Sequence, residues 1–174
     1  ASVRKLLVQT ILSSGDEQQK LLNQVGDTGS KIAGDVLKAW TRDEIYLYPE
    51  PDGTKVPVTL EDAQDANGKA RAIRVDNGLF VKDASGKELR FGDSDLNTAD
   101  TDMRLRSSIS QTIDTLGLSS PDSDTRFSAA NKLGNSQKLI YIPILQARLA
   151  KEKDSTVKKA IEEGIASLQI NEPE

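Results

Sequence analysis

Apolar residues keep a helical period at both ends of the chain and a strand period in between. Val157, Ala160, Ile161, Gly164, Ile165 and Leu168 recur three and four residues apart, which places them on one stripe of a helix. Asp154 or Ser155 can accept from the free N–H groups at its start. Thr125, Ala129, Ala130 and Leu133 predict a similar face on an earlier helix, opened by Asp122 or Asp124 and closed by Gly134. Ile140, Ile144, Leu145 and Leu149 predict a helix between those two. Its Pro143 is tolerable only near the helix start, where the missing N–H breaks few ladder bonds. At the other end, Val3, Leu6, Leu7, Thr10 and Ile11 predict a first helix stopped by Ser13-Ser14-Gly15. Asp16 caps a second, with Leu21, Leu22 and Val25 inward and Gly26 at its end. A third runs from about Ser30 through Ile32, Val36, Leu37 and Trp40.

After Trp40 the period changes. Ile45, Tyr46, Leu47 and Tyr48 read as a strand, and Pro49-Glu50-Pro51-Asp52-Gly53 turns the chain. Val56, Val58 and Leu60 alternate as a second strand, in which Pro57 points to an edge position. Asn67-Gly68 and Asn77-Gly78 are turn signals. Ala72, Ile73 and Val75 form one short strand and Leu79, Phe80 and Val81 another. Ser85-Gly86 turns the chain again before Leu89 and Phe91. Residues 43–92 therefore read as a small antiparallel β-meander inserted between a helical part at 1–42 and a second at 93–174. The helical period returns from Thr101, with Leu105, Ile109, Ile113, Leu116 and Leu118.

The helical parts look alike. Residues 20–26 align without gaps on 128–134, and the same offset places Ile32 on Ile140, Val36-Leu37 on Ile144-Leu145 and Ala39 on Ala147. A second offset places Asp122, Thr125, Arg126 and Leu133 over Asp154, Val157, Lys158 and Ile165. Helix pairs of this size cannot bury their apolar faces alone, and stacking completes the core.

Composition narrows the function. Aromatic residues are 4% of the chain, so a core of Leu, Ile, Val and Ala suits helix packing better than a thick sandwich. Net charge is −4, with Lys and Arg scattered, which argues against nucleic acid. With no Cys and no His, the chain lacks a thiolate, a sulfur ligand and the commonest general base. No apolar run reaches the roughly 18–20 residues that span a bilayer.

Candidate chemistry is thin. Asp93, Asp95 and Asn97 hold the first three spacings of a Ca²⁺ loop, but Thr98 and Arg104 stand where Gly and Glu are needed. A polar linker that caps the next helix is the simpler reading. Glu61, Asp62 and Asp65 would need an apolar pocket to act as acid and base. Ser136, in Gly134-Asn135-Ser136, lacks the base a nucleophile needs. Trp40, Tyr46 and Tyr48 fall together at the junction of helix and strand, either as a partner surface or as the seam between helical body and insert. Arg104, Arg106 and Arg126 could meet acidic groups of a partner or this chain's own carboxylates. Lys151-Glu152-Lys153-Asp154 reads as a solvated helix end.

The Asp-x-x-(Val/Thr)-(Arg/Lys) pattern, with Leu-Gly and Pro-x-Leu after its first copy, resembles HEAT-type repeats. The whole order resembles the soluble N-terminal region of the urea ABC transporter permease, of the branched-chain amino acid permease type. It comprises a helical repeat, a strand insert opening with Ile45-Tyr46-Leu47, a long helix, and a last repeat. The resemblance is sharpest from Ser120-Pro121-Asp122 to Ala166, including Leu149-Ala150-Lys151-Glu152-Lys153-Asp154 and Ala160-Ile161-Glu162-Glu163. Leu105-Arg106 resembles the opening of the family's long helix; the family's paired Asn before it is replaced by Asp102-Met103.

The expected fold is mainly α: HEAT-like helical repeats, as a short solenoid or bundle, with the β-meander inserted. The resemblance implies a non-catalytic, extracytoplasmic domain on the periplasmic side of the bacterial inner membrane. It also implies the periplasmic urea-binding protein and the membrane part of the permease as partners, and no cofactor or metal. Trp40, Tyr46, Tyr48, Arg104 and Arg106 are the candidate contact residues. A free-standing interaction scaffold is the alternative, and an enzyme is the weakest reading.

Overall fold

A computed structural model describes residues 2–171 and 173; Ala1, Glu172 and Glu174 lie outside the described residues. Three helices come first: α1 (Ser2–Leu12), α2 (Gly15–Asp27) and α3 (Lys31–Thr41). Five strands follow: β1 (Tyr46–Pro49), β2 (Lys55–Leu60), β3 (Ala70–Arg74), β4 (Arg90–Phe91) and β5 (Asn97–Thr98). The chain then forms α4 (Met103–Leu116), a 3₁₀ turn at Gly117–Ser119, α5 (Ser123–Gly134), α6 (Tyr141–Leu149) and α7 (Ser155–Gln169). The fold is mainly helical with one antiparallel sheet. It divides into two compact units, Ala1–Asn23 with Lys31–Ser110, and Gln24–Ser30 with Gln111–Glu174.

In the first unit, α1 packs on α3 and touches β2. Leu7, Leu37, Trp40 and Ile45 are fully buried there, whereas Ile32 is exposed. The α3 helix ends in a left-handed cap. Glu44 N–H donates to Ala39 O at 2.9 Å and Asp43 N–H to Trp40 O at 3.2 Å. Asp43 takes the left-handed position, at φ 57°, where glycine is usual.

Sheet order is β4-β3-β2-β1-β5. Val56, Pro57 and Val58 are all buried because β2 is central. Pro57 is therefore not on an edge strand, contrary to the expectation from sequence. It is tolerated because the β2–β3 ladder ends at Val58↔Arg74, one residue away. The Pro57 carbonyl still accepts from Val75 N–H at 3.0 Å, and the Val75 carbonyl, which Pro57 has no N–H to meet, accepts from Arg4 Nη1 at 3.1 Å instead. Residues 79–82 join by single bridges, Ile73↔Phe80 and Lys82↔Glu88, rather than as a strand. The sheet also runs past residue 92: β5 pairs with β1 through Tyr46↔Thr98 and Leu47↔Asn97. Tyr46, Val56, Val58, Ala72 and Val81 form its apolar centre. On the polar side, Arg71 bridges Glu61 and Glu88 at 2.8 Å each and lies 4.0 Å over the Phe80 ring. Arg74 bridges Glu50 and Asp76.

In the second unit, α7 buries all six residues of its stripe, Val157, Ala160, Ile161, Gly164, Ile165 and Leu168. It packs on α5 and α6. Asp154 caps it, accepting from Thr156 N–H and Val157 N–H. Asp122 caps α5 in the same way through Thr125 N–H. Thr125 itself is exposed, because its hydroxyl also donates to Asp122 and so stays at the helix entrance. Ala129, Ala130 and Leu133 do face inward. Pro143 is the third residue of α6, where no intrahelical bond is lost. Ile140 is exposed, while Leu145 is fully buried.

Candidate functional site

The ends of α1 and α4 frame a cleft in the first unit. Ser13 Oγ donates to Gln9 O at 2.6 Å as α1 closes. Gly15, at φ 60° with open space around its Cα, turns the chain into α2. The α1 carbonyls at this end have no basic side chain in the last turn. A buried amide serves instead: Gln18 Nε2 donates to Thr10 O at 3.1 Å and to Ser13 O at 2.7 Å. Across the cleft, Ala99 N–H donates to Ile45 O, extending the β1–β5 pairing. Asp102 accepts from Leu105 N–H at 2.7 Å and so starts α4. Thr101 Oγ1 reaches Asp43 Oδ1 at 3.1 Å.

The cleft holds about 580 Å³. Its apolar lining comes from Ile11, Leu12, Leu47 and Leu105, and its polar margin from Ser13, Ser14, Lys55, Asp100 and Asp102. Leu12 is 47% exposed, so an aliphatic group seated here would cover it. The geometry suits burial of an apolar side chain beside polar groups. Neither His nor Cys exists in the chain to supply a base or nucleophile.

In the second unit the notable polar cluster is buried and paired. The Glu152 side chain is 1% exposed. Arg126 meets it at 2.9 Å and Arg148 at 3.2 Å. Glu152 also accepts from Lys153 N–H and Asp154 N–H. Burial alone would raise its pKa, but the Arg126 hydrogen bonds, the Asp154 N–H and the two guanidinium charges together push it down to about 2. The charged run 151–154 is thus not a wholly solvated helix end: Glu152 turns inward because two arginines await it. Nearby, Tyr141 Oη donates to Asp114 at 3.0 Å, and burial followed by that bond pushes the hydroxyl up to about 12.

The residues singled out from sequence scatter. Trp40 is 1% exposed, and its buried Nε1 has no hydrogen-bond partner among the described residues. Tyr46 is buried too; Tyr48 is half-buried, edge-on to Phe91 at 5.8 Å. The two buried rings present no face to a partner. Arg104 and Arg106 are exposed on α4. Arg126 is the one arginine of that set found in a buried pair with this chain's own carboxylate. Asp95 is engaged by Gly92 N–H at 2.7 Å and by Lys69. Among the described residues, no three His, Cys, Asp or Glu side chains gather to hold a metal ion. Glu61 is pulled low by the Arg71 hydrogen bonds, and Asp65 by backbone N–H groups of its own loop, opposite to the shift a general acid needs. Ser136 Oγ donates to Leu133 O at 2.6 Å. The cleft was not legible, because it joins residues of α1, β1, β2, the segment 99–102 and α4 that lie far apart in sequence; Leu12, one residue past the predicted α1 face, was its only local signal.

Compared with protein-family models, with curated proteins and with solved structures, the chain matches none. Among the described residues no helix is long and apolar enough to cross a membrane.

Proposed function

We propose that this chain is a non-catalytic, extracytoplasmic domain of a urea ABC transporter permease that acts by protein contact. It would dock the periplasmic urea-binding protein or brace the membrane part of the permease. The observation that carries the reading is order: helices, a strand insert, a long helix and helices again, with Asp122 and Asp154 capping α5 and α7. That order, with the residue pattern from Ser120 to Ala166, is what the family resemblance requires.

A HEAT-like repeat fits the same facts. Under the first sequence offset, Leu21 and Ala129, Leu22 and Ala130, Val25 and Leu133, and Leu37 and Leu145 are buried pairs, and Ile32 and Ile140 are both exposed. Val36 and Ile144, buried and half-buried, match less well, and Ala39 and Ala147 break the pattern, being buried and exposed. Repeats of this kind offer extended surfaces and few catalytic groups. The cleft at Leu12 is the contact we assign to the role.

The test is capture of the urea-binding protein by the immobilised domain over a range of salt, alongside titration with urea alone. Capture that weakens in Leu12→Asp with unchanged Tm, and no heat with urea, is the expected outcome. Absence of capture at every salt removes docking; capture indifferent to Leu12→Asp moves the contact elsewhere. A reading frame containing several apolar segments of about 20 residues would support the permease over a free-standing scaffold.

A further inference from the structure

The sequence contains two Asn-Gly pairs, Asn67-Gly68 and Asn77-Gly78. In such a pair the glycine nitrogen can attack the asparagine side chain, since no Cβ hinders the approach. Sequence alone ranks the two equally. We propose that Asn67 is a site of spontaneous modification, converting to aspartate and isoaspartate well before Asn77.

The step balances within the loop and water. The Gly68 nitrogen, losing its proton to solvent base, forms a bond to Asn67 Cγ. The side-chain nitrogen leaves as ammonia, and a succinimide ring remains. Water then opens either carbonyl, giving aspartate or its isomer with the backbone rerouted through the side chain. No oxidant or enzyme is needed.

The two loops differ in what must be broken first. Asn67 is exposed and its carboxamide makes no hydrogen bond among the described residues. Its own N–H donates to Asp65 Oδ1 at 2.9 Å, which fixes the loop but leaves the side chain free. Gly68 N–H is held by one bond, to Asp65 O at 3.0 Å, and open space surrounds its Cα. At the other pair, Asn77 Oδ1 accepts from Leu79 N–H at 2.9 Å. Gly78 N–H donates to Arg74 O at 2.8 Å. The Arg4 guanidinium packs over Gly78, so near that a Cβ there would lie 2.8 Å from it, and is anchored by Val75 O. Ring closure at Asn77 therefore requires release of the carboxamide, the glycine N–H and the arginine together. At Asn67 it requires one exposed bond to open, the kind of event that local fluctuation supplies most readily.

The product changes the loop. A carboxylate appears beside Asp65, and the isoaspartyl form adds a methylene inside the ring closed by Asp65 N–H and Lys69 O at 2.8 Å.

The folded chain, incubated in mildly alkaline buffer, is sampled over time by peptide mapping with mass spectrometry and by an isoaspartyl methyl-acceptor assay. A sample held in denaturant is run in parallel. The expected result is conversion at Asn67 several-fold faster than at Asn77 in the folded chain, with the two rates converging in denaturant. Arg4→Ala should raise the Asn77 rate alone. Equal folded rates, or an Asn67 that resists conversion while the denatured chain reacts, would overturn the proposal.

Discussion

Two glycines show how closely a single residue can be specified. A Cβ on Gly134 would sit 2.5 Å from Gly164 Cα, whereas one on Gly164 would sit 3.2 Å from Gly134 Cα. Both are helical positions, where alanine ordinarily gains about 1 kcal/mol over glycine. At Gly134 the obstacle is backbone, which cannot swing aside, and overpacking of that kind costs roughly 1–3 kcal/mol or more. Gly134→Ala should therefore lower stability by about 1 kcal/mol net, and Gly164→Ala by clearly less, both read from urea unfolding midpoints. Asp43 is the reverse case. Its left-handed backbone costs about 1 kcal/mol relative to glycine, more than the exposed bond from Thr101 returns. Asp43→Gly should raise Tm; a lower Tm would mean that the Thr101 contact outweighs the strain.

Among elements, legibility followed periodicity. The α7 helix was readable in full because six apolar residues keep one spacing and an Asp precedes them. The β5 strand was not, since Asn97 and Thr98 are polar and too few to alternate; only pairing with β1 makes them a strand. Pro57 misled because the edge rule concerns the hydrogen-bonding side, and on that side β2 does end its ladder there. The α1–α2 junction was read correctly as a break, but its fastening by Gln18 has no sequence signature. Gln18→Leu would leave Thr10 O and Ser13 O without that donor at a site 9% exposed. The cost should be about 1–3 kcal/mol. Amide exchange at the end of α1 should speed up more than exchange in the sheet, because the loss falls on the corner that shapes the cleft; uniform acceleration would argue against this role.

At the scale of the molecule, each unit is fastened by arginines that hold carboxylates, which ties stability to acid. Glu61 and Asp76 are kept low by Arg71 and Arg74 in the first unit, and Glu152 by Arg126 and Arg148 in the second. The Glu152 cluster was hidden in the sequence because its members lie on α5, at the end of α6 and in the following loop, within a run that otherwise reads as surface. Its folded pKa of about 2 lies below the 4.5 of an unperturbed glutamate. A depressed carboxylate stabilises fully above its unfolded pKa, and that contribution is lost as pH falls through the folded value. The shift corresponds to about 3 kcal/mol, disappearing between pH 4.5 and about 2. Glu152→Gln should lower stability at neutral pH, since two arginines lose their counter-charge. The same variant should flatten the acid loss of amide protection in α5 and α7. In the sheet, where Glu61 and Asp76 are untouched, the acid dependence should stay as in the parent chain. An unchanged acid slope in α5 and α7 would show that Glu152 does not set the acid limit of that unit.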